Sequence, residues 1–274
     1  MSNVEDTNIA MLLQVANELR LDIEVLLAAV LGKPRSFIYA HPEYVLTGEE
    51  LAQVRKNWRR REAGEPLAYI LENKEFWGLN FKVNQHTLIP RPETERLVET
   101  VLAYFSPATC RFIDIGTGCG AIACAVASER PNWQITATDI NPDTLAVAKQ
   151  NSRRLGIKNI HFILSDLFLE LSSQRFDCIV SNPPYISEND PHLRALNYEP
   201  QQALVAEDKG FALLKQLISQ AVDYLNPGGL LILEHGYDQA TELRLFSERQ
   251  ALTWVQTYND YSGLQRVSLF KAKS

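Results

Sequence analysis

Arg111-Phe112-Ile113-Asp114-Ile115-Gly116-Thr117-Gly118-Cys119-Gly120 decides the fold of this chain. Five residues with strand character run into three alternating glycines, and a helical stretch, Ala121–Glu129, follows at once. Glycines at such a place let the backbone turn sharply and approach a ligand closely. The spacing is GxGxG. It lacks the GxGxxG arrangement that serves a dinucleotide pyrophosphate, and no GK[ST] ending marks a P-loop. Downstream, strand and helix alternate. Strands are expected at Gln134–Asp139, Ile160–Leu164, Phe176–Ser181 and Leu230–Glu234, and helices at Pro142–Leu155 and Phe211–Leu225. Alternation of this kind predicts a mostly parallel, doubly wound α/β sheet. Two further runs, Thr253–Tyr258 and Arg266–Lys271, have no clear helix between them and are expected as an antiparallel pair at the sheet edge.

Upstream the character changes. To about Glu72 the pattern is helical. Ile9, Leu12, Leu13, Ala16 and Leu19 recur at helical spacing. Asp22 is placed to cap a second helix that Gly32 and Pro34 end, and Thr47-Gly48-Glu49-Glu50 has capping-box spacing before a helix that Gly64 and Pro66 terminate. Residues 1–72 therefore read as a small helical bundle. Residues 73–89 read as a linking hairpin, with Glu75–Trp77 and Phe81–Val83 flanking Gly78-Leu79-Asn80. Residues 90–274 read as the α/β domain. Pro92, Glu93 and Glu95 suit the start of its first helix.

Composition narrows the function classes. In 274 residues the hydrophobic fraction is 46% and the net charge is −6, which opposes a broad nucleic-acid surface. The basic run Arg55-Lys56-Asn57-Trp58-Arg59-Arg60-Arg61 reads as a solvated helix face with one apolar anchor, the alternative being a contact patch for an acidic protein or RNA. No apolar run is long enough to span a bilayer, and Met1–Asp6 is acidic without a signal-peptide pattern, so a soluble cytoplasmic protein is expected. Cys110, Cys119, Cys124 and Cys178 form no CxxC pair and read as small buried hydrophobes, with no metal site expected.

Ligand-binding candidates gather at the strand ends. Asp139 is placed to accept both hydroxyls of a ribose, although helix capping is an alternative that Asn141 could serve equally well. Asp166 can take an adenine amino group while Leu167 and Phe168 flank the ring, or these residues can form a simple turn with core side chains. Asp114 can face a cationic ligand end or brace the glycine turn. These pieces fit a nucleoside without a phosphate chain, and S-adenosylmethionine is such a molecule. Beyond the strand Phe176–Ser181 lies Asn182-Pro183-Pro184-Tyr185. Two prolines stop the strand. The Asn oxygen and a prolyl carbonyl can each accept one N–H of a planar NH2 group, and the Tyr ring can cover a face. His192 and His235 read as polar surface or loop groups.

The order of these blocks resembles class I S-adenosylmethionine-dependent methyltransferases that act on amide or amino nitrogens. Leu88–Glu95, Tyr198–Leu204, Glu234-His235-Gly236 and Asp260–Arg266 are similar to blocks of the PrmC/HemK release-factor glutamine methyltransferases. That resemblance implies a Rossmann-like, seven-stranded sheet and transfer of a methyl group from S-adenosylmethionine, leaving S-adenosylhomocysteine. The acceptor it implies is the glutamine side-chain nitrogen in the Gly-Gly-Gln motif of peptide chain release factors. It implies cofactor contacts at Gly116, Thr117, Gly118, Cys119, Gly120, Asp139 and Leu167, and substrate contacts at Asn182, Pro183, Pro184 and Tyr185, with Asn182 near both ligands. It implies that the N-terminal bundle grips the release factor. Competing readings are an adenine-N6 DNA methyltransferase, which would use the same clamp, and a cofactor-binding adaptor without activity. Arg91 and Glu93 suit helix-start structure and function equally, and Glu199 and Glu234 are placed near the substrate only by the family pattern.

Overall fold

The structure is a computed structural model that describes residues 7–15, 19–105, 108–172 and 174–273. Ala16 and the acidic Met1–Asp6 lie outside the described residues. The chain divides into two compact units, Met1–Glu72 and Asn73–Ser274.

The first unit holds helices α1 (Ile9–Val15), α2 (Arg20–Leu31), α3 (Arg35–Ala40), α4 (Gly48–Glu62) and α5 (Leu67–Ile70). Ile9, Ile23, Leu27, Ile38, Leu46, Leu51 and Val54 form its core, and Trp58 packs against it from the basic helix. Thr47 and Glu50 make the expected capping box on α4. Asp22 does not cap α2. It lies inside the first turn, and its Oδ2 instead accepts from Arg61 Nε at 2.5 Å. The cap was read from sequence proximity alone, and an ion pair with a residue 39 positions away takes the carboxylate. Arg60 pairs with Glu65, so two members of the basic run have acidic partners within the bundle.

The second unit opens with strands β1 (Lys74–Phe76) and β2 (Leu79–Phe81), paired antiparallel. Their turn is the two-residue Trp77-Gly78, not the three-residue Gly78–Asn80. Both turn residues have positive φ, 55° and 67°, as a tight primed hairpin turn requires. Trp77 holds this conformation with its backbone N–H on Glu95 Oε1 and its indole N–H on Glu129 Oε1. Then come α6 (Glu95–Tyr104), β3 (Arg111–Ile115), α7 (Ala121–Glu129), β4 (Gln134–Asp139), α8 (Pro142–Arg154), β5 (Ile160–Leu164) and β6 (Phe176–Ser181). A small parallel pair, β7 (Ile186–Ser187) and β8 (Val205–Ala206), precedes α9 (Ala212–Tyr224), β9 (Leu225–Glu234), α10 (Ala240–Ser247), β10 (Leu252–Asn259) and β11 (Gln265–Ala272).

The main sheet has seven strands in the order β10-β11-β9-β6-β3-β4-β5. β3, β4, β5, β6 and β9 are parallel, and β11 runs antiparallel between β9 and β10. From β3 the chain proceeds outward to β4 and β5, then returns to β6 on the other side. This reversal puts a topological switch point between β3 and β6, where open α/β sheets bind ligands at the carboxyl edge. Buried apolar residues of β3, β6 and β9 pack with α9 and α10 into one core. β9 begins five residues before the expected Leu230, because its pairing with β6 extends past an irregularity to Leu225.

Candidate functional site

Register brings the site together. Ile115 pairs with Thr138 on one side and Ser181 on the other, and Ser181 pairs with Leu233. The next residue of each strand is therefore Gly116, Asp139, Asn182 and Glu234, four neighbours along one edge. Adjacent strands lie about 4.8 Å apart, so Asp139 and Asn182 stand roughly 10 Å from each other across the glycine turn.

The glycine turn is built for close approach. Gly116, Gly118 and Gly120 have φ of 72°, 59° and 86°. A methyl added at Gly116 or Gly118 would meet no atom within 4 Å, so it would fill open space over the strand ends. Asp114, fully buried, braces the turn from below. Its Oδ2 accepts from the Thr117 hydroxyl at 2.7 Å and the Ala123 N–H at 3.2 Å, while Oδ1 has no partner. Burial is the main reason its carboxyl is raised to about 7, against the opposing effect of those two donors. Of the two roles open from sequence, loop bracing is the one its Oδ2 performs here.

Sequence left helix capping open to both Asp139 and Asn141, and it falls to Asn141. Asn141 caps α8, accepting from the N–H groups of Asp143 and Thr144. Asp139 accepts from Gly118 N and Asn141 N, one on each oxygen. A carboxylate has about four acceptor sites, so capacity for two hydroxyls remains. Burial raises its pKa, opposed by these backbone donors. Asp166 is exposed and Leu167 half-buried at φ 48°. Phe168 does not flank a ligand ring. It is 1% exposed and stacks on Tyr224 in the core, ring centroids 4.5 Å apart. All four cysteines are free and buried, and burial raises the Cys119 thiol to about 12. Among the described residues no group of three or more His, Cys, Asp or Glu could hold a metal ion, and no helix is long and apolar enough to cross a membrane.

Asn182–Tyr185 is fastened at both ends. Asn182 Nδ2 donates to Thr94 Oγ1 at 3.1 Å, and the Tyr185 hydroxyl donates to Glu234 Oε1 at 3.2 Å. The Tyr185 carbonyl accepts from Gln239 Nε2 at 3.2 Å, and Gln239 Oε1 accepts from Gly236 N at 2.8 Å. Pro183 is buried and Pro184 half-buried. Among the described residues, neither Asn182 Oδ1 nor the Pro183 carbonyl oxygen has a hydrogen-bond partner. Two acceptors at one strand tip are thus available to a planar NH2 group. Burial, then the Glu234 charge, pushes the Tyr185 hydroxyl far above its ordinary value, so it stays neutral.

Sequence reading missed Thr94 and Gln239, both buried at 4% exposure. Of the two histidines read as surface or loop groups, His235 lies in the loop directly after β9 but is 0% exposed, whereas His192 is exposed beside Asp190. The His235 ring bonds the Gly236 carbonyl and the Ser268 hydroxyl, each at 2.8 Å. A carbonyl only accepts, so Nδ1 carries the proton and Nε2 accepts. Burial lowers its pKa to about 4, and it is a neutral structural group. Arg91 pairs with buried Glu199, which also accepts from Ile89 N at 3.0 Å. This holds the segment before α6 in place.

Comparison with known proteins supplies the rest. Residues 107–265 match the family model of a methyltransferase domain, and residues 8–71 match that of the PrmC N-terminal domain. The release factor glutamine methyltransferase of Salmonella typhimurium is 46% identical over 251 residues, 91% of each chain. That of Escherichia coli is 46% identical over 259 residues, 94% of each chain. Among solved structures, a methyltransferase from Pyrococcus furiosus aligns with a TM-score of 0.55 at 19% identity, covering 83% of this chain and all of that one. An rRNA methyltransferase of Thermus thermophilus in complex with AdoMet and guanosine aligns at 0.51 and 19%, covering 74% of this chain and 50% of that one.

Proposed function

The chain belongs to the release factor glutamine methyltransferases, and from this we propose how its residues carry out that reaction. It is an S-adenosylmethionine-dependent enzyme of the class I methyltransferase fold, and it methylates glutamine in release factors. The finer reading is that the acceptor is the side-chain nitrogen of the Gly-Gly-Gln motif, that the N-terminal unit grips the release factor, and that the protein works in the cytoplasm. The observation that carries the chemistry is the pair of unengaged acceptors, Asn182 Oδ1 and Pro183 O, one strand away from the glycine turn.

The site fits the cofactor. Gly116 and Gly118 leave backbone open to a ligand, with Thr117, Cys119 and Gly120 completing the turn. Asp139 has lone pairs for ribose hydroxyls, exposed Asp166 for an adenine amine, and Leu167 lies beside it. When bound, S-adenosylmethionine supplies an electrophilic methyl group and leaves as S-adenosylhomocysteine.

An amide nitrogen is a poor nucleophile because its lone pair is delocalised into the carbonyl. Asn182 Oδ1 and Pro183 O each accept one of its N–H bonds, which fixes the plane of the carboxamide and turns its face toward the glycine turn. Pro184 stiffens the loop, and the Tyr185 ring walls the site against water. Positive charge grows on nitrogen as its new N–C bond forms, and the two oxygens stabilise that charge where it develops. The methylated nitrogen then sheds one proton, so no strong base is needed beforehand.

Incubation of a purified release factor with the enzyme and S-adenosylmethionine, followed by peptide mass spectrometry, is expected to show one added methyl on the Gly-Gly-Gln glutamine. A methyl elsewhere, or none, would overturn this reading. Asp139→Ala is expected to weaken cofactor affinity on the order of 100-fold, since two hydrogen bonds to a charged acceptor are lost. Calorimetry showing an unchanged Kd would remove Asp139 from the site.

A further inference from the structure

Two arginines stand beside the Asn182–Tyr185 loop, and each is tied down through one nitrogen. Arg91 donates from Nη2 to Glu199. Arg266 donates from Nε to Asp260 Oδ2 at 3.2 Å. Both carboxylate side chains are only 2% exposed, whereas those of Arg91 and Arg266 are 33% and 19% exposed. A guanidinium carries a fixed fork of N–H donors and no acceptor. Among the described residues, the other nitrogens of both forks have no hydrogen-bond partner.

Both arginines belong to the acceptor side of the site. The Arg91 carbonyl accepts from Thr94 N at 3.1 Å, and Thr94 Oγ1 accepts from Asn182 Nδ2 at 3.1 Å. Arg91 is therefore one turn from the residue that touches Asn182. Arg266 lies on β11 opposite His235, the residue after Glu234, and its carbonyl accepts from His235 N at 2.9 Å. Its Cζ lies 5.9 Å from the centroid of the exposed Tyr237 ring. Burial and the Glu234 charge raise the Tyr185 hydroxyl, and the charges of both arginines oppose them.

The donors are fixed before any substrate arrives. Glu199 also accepts from Ile89 N at 3.0 Å, and Asp260 Oδ1 accepts from Ser262 N and Leu264 N, each at 2.9 Å. A carboxylate held by backbone in turn holds the fork bonded to it. Nor do the arginines add net positive charge. Glu199 and Asp260 match them, and the charges of Arg266 and Glu93 both reach Glu234. This rim therefore suits a neutral acceptor rather than a phosphate, which needs surplus cations.

In Gly-Gly-Gln the two residues before the glutamine have no side chain, so the acceptors they offer are main-chain carbonyls. We propose that Arg91 and Arg266 grip the release factor by donating their free N–H groups to main-chain carbonyls beside the target glutamine. This rests on the Gly-Gly-Gln reading given above. It adds the groups that hold the substrate backbone while Asn182 and Pro183 hold the side chain.

Arg91→Lys and Arg266→Lys test this. Lysine keeps a positive charge for Glu199 or Asp260 but replaces the planar fork with a single nitrogen. Steady-state methyl transfer to a purified release factor is measured at saturating S-adenosylmethionine, with peptide mass spectrometry of the product. Each variant is expected to raise KM for the release factor roughly tenfold, the effect of losing one hydrogen bond to a charged group. The double variant should show about the product of the two effects. KM should change more than kcat, the sign of lost uniform binding, and affinity for S-adenosylhomocysteine should stay within about twofold. Wild-type KM in both variants would overturn the proposal, since attraction between bare charges survives the exchange. A fall in kcat or in S-adenosylhomocysteine affinity with KM unchanged would also overturn it, because the arginines would then only brace their loops. Should one variant fail to fold, the other decides, as the two arginines sit on separate elements with separate carboxylates. A methyl on the Gly-Gly-Gln glutamine together with wild-type KM removes the arginines and leaves the motif reading standing. A methyl elsewhere removes both.

Discussion

Asn182→Ala is expected to reduce kcat roughly 100- to 1000-fold, the range found when one preorganised group stabilising a transition-state charge is removed. Cofactor affinity should change much less. The reason lies in where Asn182 stands. It follows Ser181, which is buried and bonds the Ile115 carbonyl at 2.7 Å, so the strand tip is rigid. Removal of the side chain leaves Pro183 O as a single acceptor, and the substrate nitrogen is free to rotate out of the attacking orientation. An interaction realised in the transition state lowers kcat when lost, whereas loss of uniform binding raises KM. A variant that folds and turns over at the wild-type rate would remove Asn182 from the chemistry.

Gly210→Ala is expected to damage the same loop from behind, at the level of stability. Gly210 has φ of 89°. A Cβ there would lie 2.1 Å from the Tyr185 carbonyl oxygen and 3.0 Å from Gln239 Nε2. Neither neighbour yields easily. The Tyr185 carbonyl is backbone, and Gln239 holds both it and the Gly236 N–H. Left-handed strain and forced overlap together cost about 2–4 kcal/mol, which for a unit of this size lowers Tm by about 5–15 °C. A thermal melt is the check, and a Tm equal to wild type would show that Gly210 does not seat the loop. Gly116 and Gly118 differ, because methyl groups there meet no atom within 4 Å. Their strain is conformational, and the space beside them is open.

Much of the architecture was readable from local signals. The strands at Arg111–Ile115, Gln134–Asp139, Ile160–Leu164 and Phe176–Ser181 and the helix at Ala121–Glu129 stand where the pattern put them, because glycine and proline punctuate their ends. The mostly parallel sheet follows from the same alternation, its antiparallel edge from two strand runs with no helix between them, and its seven strands from the family resemblance. Errors came where a distant partner decides. Asp22 has capping spacing, but Arg61 takes its carboxylate. Phe168 follows directly on the Asp166-Leu167 pair expected at a ligand ring, but Tyr224 stacks on it in the core.

The candidate site divides along the same line. Glycine spacing, a strand-end acid and Asn-Pro-Pro-Tyr are contiguous signals, and the register aligns them on one edge. The groups that hold Asn-Pro-Pro-Tyr in place are far away in sequence. Thr94 is 88 residues from Asn182, and Glu234 is 49 from Tyr185. No periodicity announces either: Glu234 reaches the loop when β6 is laid beside β9, and Thr94 stands in the short turn just before α6. His235 has the same history: Ser268, its hydroxyl partner, is 33 residues on.

The central claim is that two oxygens, Asn182 Oδ1 and Pro183 O, hold both N–H bonds of the substrate carboxamide. A crystal structure of the enzyme with S-adenosylhomocysteine and a release factor tests it most directly. The account predicts the glutamine nitrogen within about 2.7–3.2 Å of both oxygens, its face toward the cofactor sulfur. A nitrogen turned away from either oxygen, with the glutamine held by other groups, would contradict it.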